Sequence, residues 1–213
     1  MKRIKINIFI VIFIFAISIL IIIFFFPLKY TTKDYIVKIY FDGAYLTDYR
    51  GEDKDVIIPN YIGFFPVTTI DRKCFEYKDT IETVIIPNNV RNIKPFAFSG
   101  CVNLKSVEAS RIKSIGLYSF ADDCQLEKVN LGDNLQTIGE NAFEGCGMLT
   151  YIPSKDSVKE IGDHAFKGCE IEDPGDLTGI TVGEDAFVDC PWSESPNNPA
   201  SVNYVDPEED SAE

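Results

Sequence analysis

Apolar residues recur along the middle of this chain at a nearly constant spacing. A phenylalanine returns at successive intervals of 23, 22, 23, 23 and 21 residues, and an isoleucine or valine stands five positions before each one. A fixed period with apolar residues at fixed phase predicts a solenoid, in which each turn buries one stripe and stacks on its neighbours. The recurring residues are Phe75, Phe98, Phe120, Phe143, Phe166 and Phe187, which predicts about six turns.

Two short apolar segments precede the phenylalanine in each interior repeat. In the copy that ends at Phe98, they fall at residues 84–86 and 90–93. Both segments are too short for a helix, and we interpret them as strands. The phenylalanine then follows in a tight helical or 3₁₀ turn. The sequence therefore predicts a β-rich solenoid over residues 55–190, with a sixth copy that has lost its first strand.

The segments on either side of the solenoid differ from it in composition. Residues 35–41 are rich in β-branched and aromatic types and precede Asp42-Gly43, which predicts a hairpin within a capping region of residues 30–54. A terminal repeat needs such a cap. Residues 191–213 are acidic and rich in proline, and we predict a disordered tail there. The exception is Trp192, which we expect to fold back over the last repeat.

The amino terminus carries a long apolar run. Residues 8–26 contain 19 residues with Ser18 as the one polar side chain, after a basic start. A helix of this length covers about 28 Å, close to the thickness of a bilayer core. We predict a single transmembrane anchor within residues 1–29 and, from the positive-inside rule, residues 30–213 outside the cell. The alternative is secretion after cleavage of a signal peptide, which prefers a shorter run followed by small residues.

The charge of the chain argues against one class of partner. The formal net charge is -13, and residues 1–29 hold four basic and no acidic side chains. That leaves 16 basic against 33 acidic side chains in residues 30–213, a net charge of -17. So acidic a domain repels phosphate backbones, and we predict no binding to nucleic acid.

The repeat unit has a recognisable consensus. Residues 138–146 read Ile-Gly-Glu-Asn-Ala-Phe-Glu-Gly-Cys, and a Leu-x-x-Val segment with an Ile-Pro-like turn belongs to the same period. This unit resembles the BspA-type leucine-rich repeat of bacterial and protozoan surface proteins, over about residues 55–190. The resemblance implies a curved solenoid with a parallel sheet on its concave side, used for adhesion or protein recognition. It implies no catalytic residue.

The alternation of side chains along a strand predicts a candidate binding surface on this concave sheet. Where Val84 and Ile86 point inward, their neighbours must point outward. The outward positions are Ile57, Thr83, Ile85, Ser106, Glu108, Lys128, Asn130 and Tyr151, with Asp55 and Pro153 in the same rows. Exposed apolar residues among them are typical of recognition surfaces. The predicted partner is a protein or a surface glycan; the alternative function is a structural spacer or assembly module of the cell envelope.

Candidate chemistry elsewhere in the chain is sparse. Cys101, Cys124, Cys146, Cys169 and Cys190 share one phase of the repeat, and we interpret them as a reduced packing column. Disulfides are the alternative, because stacked repeats would place these residues about 4.8 Å apart. Without closely spaced Cys or His pairs, the sequence predicts no metal site.

We predict that the chain is not an enzyme, and an enzymatic function is the least supported alternative. His164 is the single histidine and falls at a variable position of the repeat, where we expect a surface side chain. A catalytic pair of His164 with Cys169 or Cys146 is the enzymatic alternative. We interpret Asp122 and Asp123 as solvated charge. No Gly-rich phosphate loop occurs, and no cofactor is predicted.

Overall fold

A computed structural model describes residues 28–194 of the chain, and short strands dominate it. The strands are β1 Leu28–Thr31, β2 Tyr35–Tyr40, β3 Gly43–Tyr49, β4 Asp55–Ile57, β5 Tyr61–Ile62, β6 Phe65–Ile70, β7 Thr83–Ile85, β8 Asn92–Ile93, β9 Ser106–Glu108, β10 Ser114–Ile115, β11 Lys128–Asn130, β12 Thr137–Ile138, β13 Glu160–Ile161 and β14 Thr181–Val182. Two 3₁₀ helices span Lys155–Ser157 and Pro191–Glu194.

The strands form two sheets. The larger has the order β1-β2-β3-β6-β8-β10-β12-β13-β14, with β5 paired to β6, and the smaller has the order β11-β9-β7-β4. Strands of successive repeats pair in parallel and in register, so Val56, Val84, Val107 and Val129 lie side by side in the small sheet. The inward residues of these strands are buried. A β-solenoid of about six turns is therefore confirmed.

The fifth repeat departs from the predicted pattern. Its first apolar segment, residues 149–152, forms no strand, although Leu149 and Ile152 remain buried. Pro153, which we predicted to point outward, is buried. A proline has no N–H with which to join a ladder, and here it leads into the 3₁₀ helix Lys155–Ser157. The apolar stripe thus continues through this turn after the small sheet has ended.

The hairpin predicted near the amino end of the solenoid is present. Strands β2 and β3 pair in antiparallel fashion, and β1, which we did not predict, adds to the outer edge of β2. Strand β3 then pairs in parallel with β6, the first long strand of the solenoid. The large sheet therefore continues from the hairpin into the repeats.

The recurring phenylalanines form one continuous stack through the core. Neighbouring rings from Phe75 to Phe187 lie 4.8 to 5.4 Å apart and within 8° of parallel. Tyr49 packs on the first ring and Trp192 on the last, 5.3 Å from Phe187 at 76°. The predicted return of Trp192 is confirmed. Our boundary for the disordered tail is wrong, because Pro191–Glu194 form a 3₁₀ helix that brings this ring back.

The turn before each phenylalanine has a constant backbone geometry. The residue two positions before the ring has φ between 50° and 62° in every repeat: Lys73, Phe96, Tyr118, Asn141, His164 and Asp185. The glycine of the Ile-Gly pair packs against the previous repeat, so a Cβ added at Gly139 would lie 2.7 Å from the carbonyl carbon of Gly116. That distance is a steric clash. The Ile-Gly signature therefore reflects close stacking of the turns.

The cysteine column is confirmed in four repeats and wrong in the third. The thiols of Cys101, Cys146, Cys169 and Cys190 are buried and donate to a phenylalanine carbonyl of the preceding repeat, at 3.0 to 3.1 Å. All six cysteines are free. In the third repeat Asp123 takes the buried position and Cys124 is exposed. The extra residue before Cys124 moves the thiol out of the column, and Asp123 is not the solvated charge we predicted.

Within residues 28–194, no helix is long and apolar enough to cross a membrane. The predicted anchor at residues 8–26 lies outside the described residues, as do residues 195–213 of the predicted tail.

Candidate binding surface

The outward side chains of the small sheet form two parallel rows, which we call the sheet face. One row holds Asp55, Thr83, Ser106 and Lys128, and the other holds Ile57, Ile85, Glu108 and Asn130. Parallel in-register pairing keeps each row in line, with neighbours about 4.8 Å apart. Seven of the eight residues predicted for the binding surface therefore lie together here.

The apolar half of the sheet face consists of Ile57 and Ile85. They are paired across β4 and β7, and they are 70% and 49% exposed. Their neighbours Val56 and Val84 are only 3% and 1% exposed. The predicted alternation thus holds on both strands. Two aliphatic side chains that lie side by side in solvent form a compact apolar patch, and burying one such side chain is worth about 1.5–3 kcal/mol.

The other half of the sheet face is polar and charged. Glu108, Lys128 and Asn130 are exposed, whereas Thr83 and Ser106 are half-buried. The hydroxyl of Thr83 donates to the carboxylate of Asp55 at 2.6 Å, which joins the first two strands across the face. A ligand on this surface would meet an apolar patch beside carboxylate, ammonium and amide groups.

Tyr151, the eighth predicted residue, has a structural role. Its hydroxyl donates to the carbonyl of Val129 at 3.2 Å and accepts from the Val129 N–H at 2.7 Å. Val129 is the central residue of β11, the last strand of the small sheet. The phenol therefore provides the hydrogen bonds that a fifth strand would have made, while 41% of the residue stays exposed. It lies at the margin of the sheet face and supports it.

A row of alternating charges beside the sheet face was missed by our sequence reasoning. The ammonium groups of Lys54 and Lys105 lie 2.7 and 2.6 Å from the two carboxylate oxygens of Glu82. These hydrogen bonds, first from Lys105 and then from Lys54, lower the pKa of Glu82 to about 2. Lys54 and Glu82 also border a cleft of about 410 Å³, together with Glu52, Asp79, Thr80 and Asn103. The signal was a charge at one phase of the repeat, directly before each strand of the small sheet.

The groups considered for catalysis lie apart from the sheet face. Cys146 and Cys169 donate to backbone carbonyls in the core, and burial raises the pKa of both thiols, whereas an activated thiolate needs a lowered pKa. His164 is partly exposed, with its Nε2 4.0 Å from a carboxylate oxygen of Asp185. Among residues 28–194, no three His, Cys, Asp or Glu side chains are grouped so as to hold a metal ion.

Comparison with known sequences identifies a repeat family. The profile described as "BspA type Leucine rich repeat region" matches residues 68–193 in six copies. A search of curated proteins found no match.

Several solved structures share the fold. The leucine-rich repeat protein TpLRR of T. pallidum is 24% identical, with a TM-score of 0.63, over 78% of this chain and 90% of that one. A leucine-rich cell surface protein of Faecalibacterium prausnitzii is 24% identical, with a TM-score of 0.58, over 77% and 52%. The pneumococcal vaccine antigen PcpA is 18% identical, with a TM-score of 0.62, over 77% and 48%. This chain thus spans about half the length of the latter two proteins.

Proposed function

Since this chain belongs to the BspA-type leucine-rich repeat family, we propose that it is a non-catalytic cell-surface protein that binds a protein or a surface glycan through the sheet face. The sheet face is regular, stacked and built on a buried core, so its side chains are held in fixed rows. A rigid surface loses little conformational entropy when a ligand binds.

The exposed pair of Ile57 and Ile85 is the observation that carries this proposal. Exposed apolar side chains next to each other on neighbouring strands favour association, because their burial removes apolar area from water. The flanking Glu108 and Lys128 supply charges of both signs, which favour a specific orientation of the ligand. An apolar patch beside polar and charged groups is typical of protein recognition.

The proposal includes a location at the cell membrane. Residues 8–26 supply the single anchor, and residues 30–213 lie outside the cell. The F. prausnitzii relative, described as a cell surface protein, supports an extracellular place for this kind of solenoid. Secretion after signal cleavage is the alternative, and it would leave the binding proposal unchanged.

A structural role is the alternative function. A short solenoid whose sheet ends at exposed strands, such as β4, offers an edge for assembly with further copies. In that case the chain acts as a spacer or assembly module of the cell envelope, and concentration-dependent self-association replaces binding to an outside ligand.

The test compares two variants of the full chain in detergent on arrays of glycans and of extracellular proteins. Ile57→Asp combined with Ile85→Asp places charge on the apolar patch. Val102→Asp is the matched control, because this aliphatic residue is 41% exposed and lies outside the small sheet. We expect the double variant to lose the saturable binding that the parent and the control retain. Equal binding by all three would contradict the proposal, and self-association by sedimentation would favour the assembly role.

A further inference from the structure

We propose that one end of the large sheet rests on the lipid bilayer, with exposed aromatic side chains at the membrane interface. This aromatic end consists of Phe41, Tyr61, Phe64 and Phe65, which are 64%, 58%, 97% and 36% exposed. The inference builds on the proposed anchoring of residues 8–26. It adds a second, reversible contact between the folded domain and the same membrane.

The direction of the strands places the aromatic end beside the point where the chain leaves the membrane anchor. Strand β1 is antiparallel to β2, β2 is antiparallel to β3, and β3 is parallel to β6. Strands β1, β3 and β6 therefore begin at the same end of the sheet. Leu28, Ile39, Ala44 and Val67 form one row across the four strands.

The number of residues from this row gives the distance along the strand direction to Phe41, to Phe64 and to the end of the apolar run. Phe41 lies two residues beyond Ile39 of this row and Phe64 three residues before Val67, so the two turns extend up to about 7 and 10 Å beyond the row, at about 3.3 Å per residue. The apolar run ends at residue 26, two residues before Leu28, a reach of at most about 7 Å. The aromatic turns therefore lie on the side of the domain at which an anchor ending at residue 26 would join β1.

The turn between β5 and β6, which carries Phe64, projects from the domain. Ile62 pairs with Phe65, which leaves Gly63 and Phe64 as a two-residue hairpin turn. Gly63 has φ 60°, as a glycine at the first turn position requires. No atom lies within 4 Å of a Cβ built at Gly63, so this turn stands clear of the rest of the domain. Phe64 is 97% exposed, so its ring gains no stabilisation from burial while it lies in water. Aromatic rings are favoured at a bilayer interface.

The charge along the same end of the sheet fits anionic headgroups. The later strands of the large sheet run parallel to β6, so the segments that lead into them lie at this end as well. With the segment before β14, these segments are residues 87–91, 109–113, 131–136, 153–159 and 174–180, and they hold five basic and three acidic side chains. Residues 30–213 have a net charge of -17, whereas this edge carries an excess of basic side chains. Anionic lipid headgroups are therefore attracted to this edge in preference to the rest of the surface. The repeats would then stack along the membrane plane.

The experiment measures the depth of Phe64 in vesicles. The full chain, with its single tryptophan removed by Trp192→Phe, is reconstituted into vesicles of phosphatidylcholine and phosphatidylglycerol, with or without bromine on the acyl chains. Phe64→Trp then places the one fluorophore on the turn. Tyr77→Trp is the matched control, because Tyr77 is 72% exposed and lies beyond the opposite end of β6. Flotation of the vesicles after an alkaline wash reports the anchor separately.

We expect Phe64→Trp to show a blue-shifted emission maximum and quenching by the brominated lipid, and Tyr77→Trp to show neither. If the chain floats with the vesicles and the two variants are quenched equally, the aromatic end does not touch the bilayer and the anchor stands. If the chain is washed off the vesicles, the anchor itself fails and this inference fails with it. Binding through the sheet face is assayed independently and is unaffected by either result.

Discussion

Replacing Asp123 should stabilise this protein, and the gain should depend on pH. The side chain is fully buried in the position that cysteine holds in the neighbouring repeats. One carboxylate oxygen accepts from the N–H of Cys101 at 2.7 Å, and the other oxygen has no hydrogen-bond partner. Burial raises the pKa of Asp123 well above the ordinary value of 3.8 for this carboxyl. The native fold therefore disfavours the ionised form.

The size of the effect follows from the unpaired oxygen. A buried polar group without a partner costs about 1–3 kcal/mol, and more when it is charged. Asp123→Asn keeps the shape and the acceptor for Cys101 but cannot ionise. Its amide can donate to the carbonyl of Phe98, which corresponds to the acceptor of the column thiols in other repeats. We expect the free energy of unfolding at pH 7.5 to rise by about 1–3 kcal/mol.

The sign of the pH dependence distinguishes ionisation from packing. Because the pKa of Asp123 is higher in the folded state, its favourable contribution is complete below the unfolded pKa of about 3.9 and is lost as the pH rises through the folded pKa. The advantage of Asp123→Asn should be absent near pH 3.5 and grow toward neutral pH. Urea unfolding of the full chain in detergent, followed by Trp192 fluorescence at both pH values, measures it.

The matched control for this experiment is Asp122→Asn. Asp122 is the neighbouring acid, is exposed and has φ 62°, which asparagine tolerates. We expect this substitution to change stability by less than about 0.5 kcal/mol at either pH. A gain for Asp123→Asn that is equal at pH 3.5 and 7.5, or a loss at neutral pH, would refute the reasoning about a buried charge.

Two further predictions concern the core. Phe143→Ala, in the middle of the ring stack, should lower the free energy of unfolding by about 3–5 kcal/mol. The control Phe64→Ala, at the exposed turn, should lower it by less than about 0.5 kcal/mol. Similar losses for the two variants in urea unfolding would show that the stack is not the core. A thiol reagent should modify the exposed Cys124 quickly. It should modify the buried Cys101, Cys146 and Cys169 only after unfolding, because burial shields these three thiols and raises their pKa. Mass spectrometry of the native protein checks this, and rapid labelling of Cys146 would contradict the column.

The features that repeat could be predicted from the sequence because each turn solves the same packing problem. Val84 and its equivalents are buried, and Ile85 and Glu108 point outward, as simple alternation requires. The features that failed belong to single repeats. Whether an inserted residue displaces Cys124 or Asp123 depends on how one turn accommodates it, and a periodic pattern contains no information about that choice.

Tyr151 shows that the face on which a residue lies predicts its role less well than the contacts of its side chain do. Its phase in the repeat placed it with the outward residues, and 41% of the residue is indeed exposed. Its hydroxyl nevertheless forms hydrogen bonds with the N–H and the carbonyl of Val129. These bonds take the place of those from a fifth strand, which Pro153 disfavours. An unpaired strand edge is prone to unwanted pairing. The exposed ring therefore closes the small sheet at β11, so that within residues 28–194 the edge strand without such a side-chain partner is β4, which carries the exposed Ile57 of the proposed binding surface.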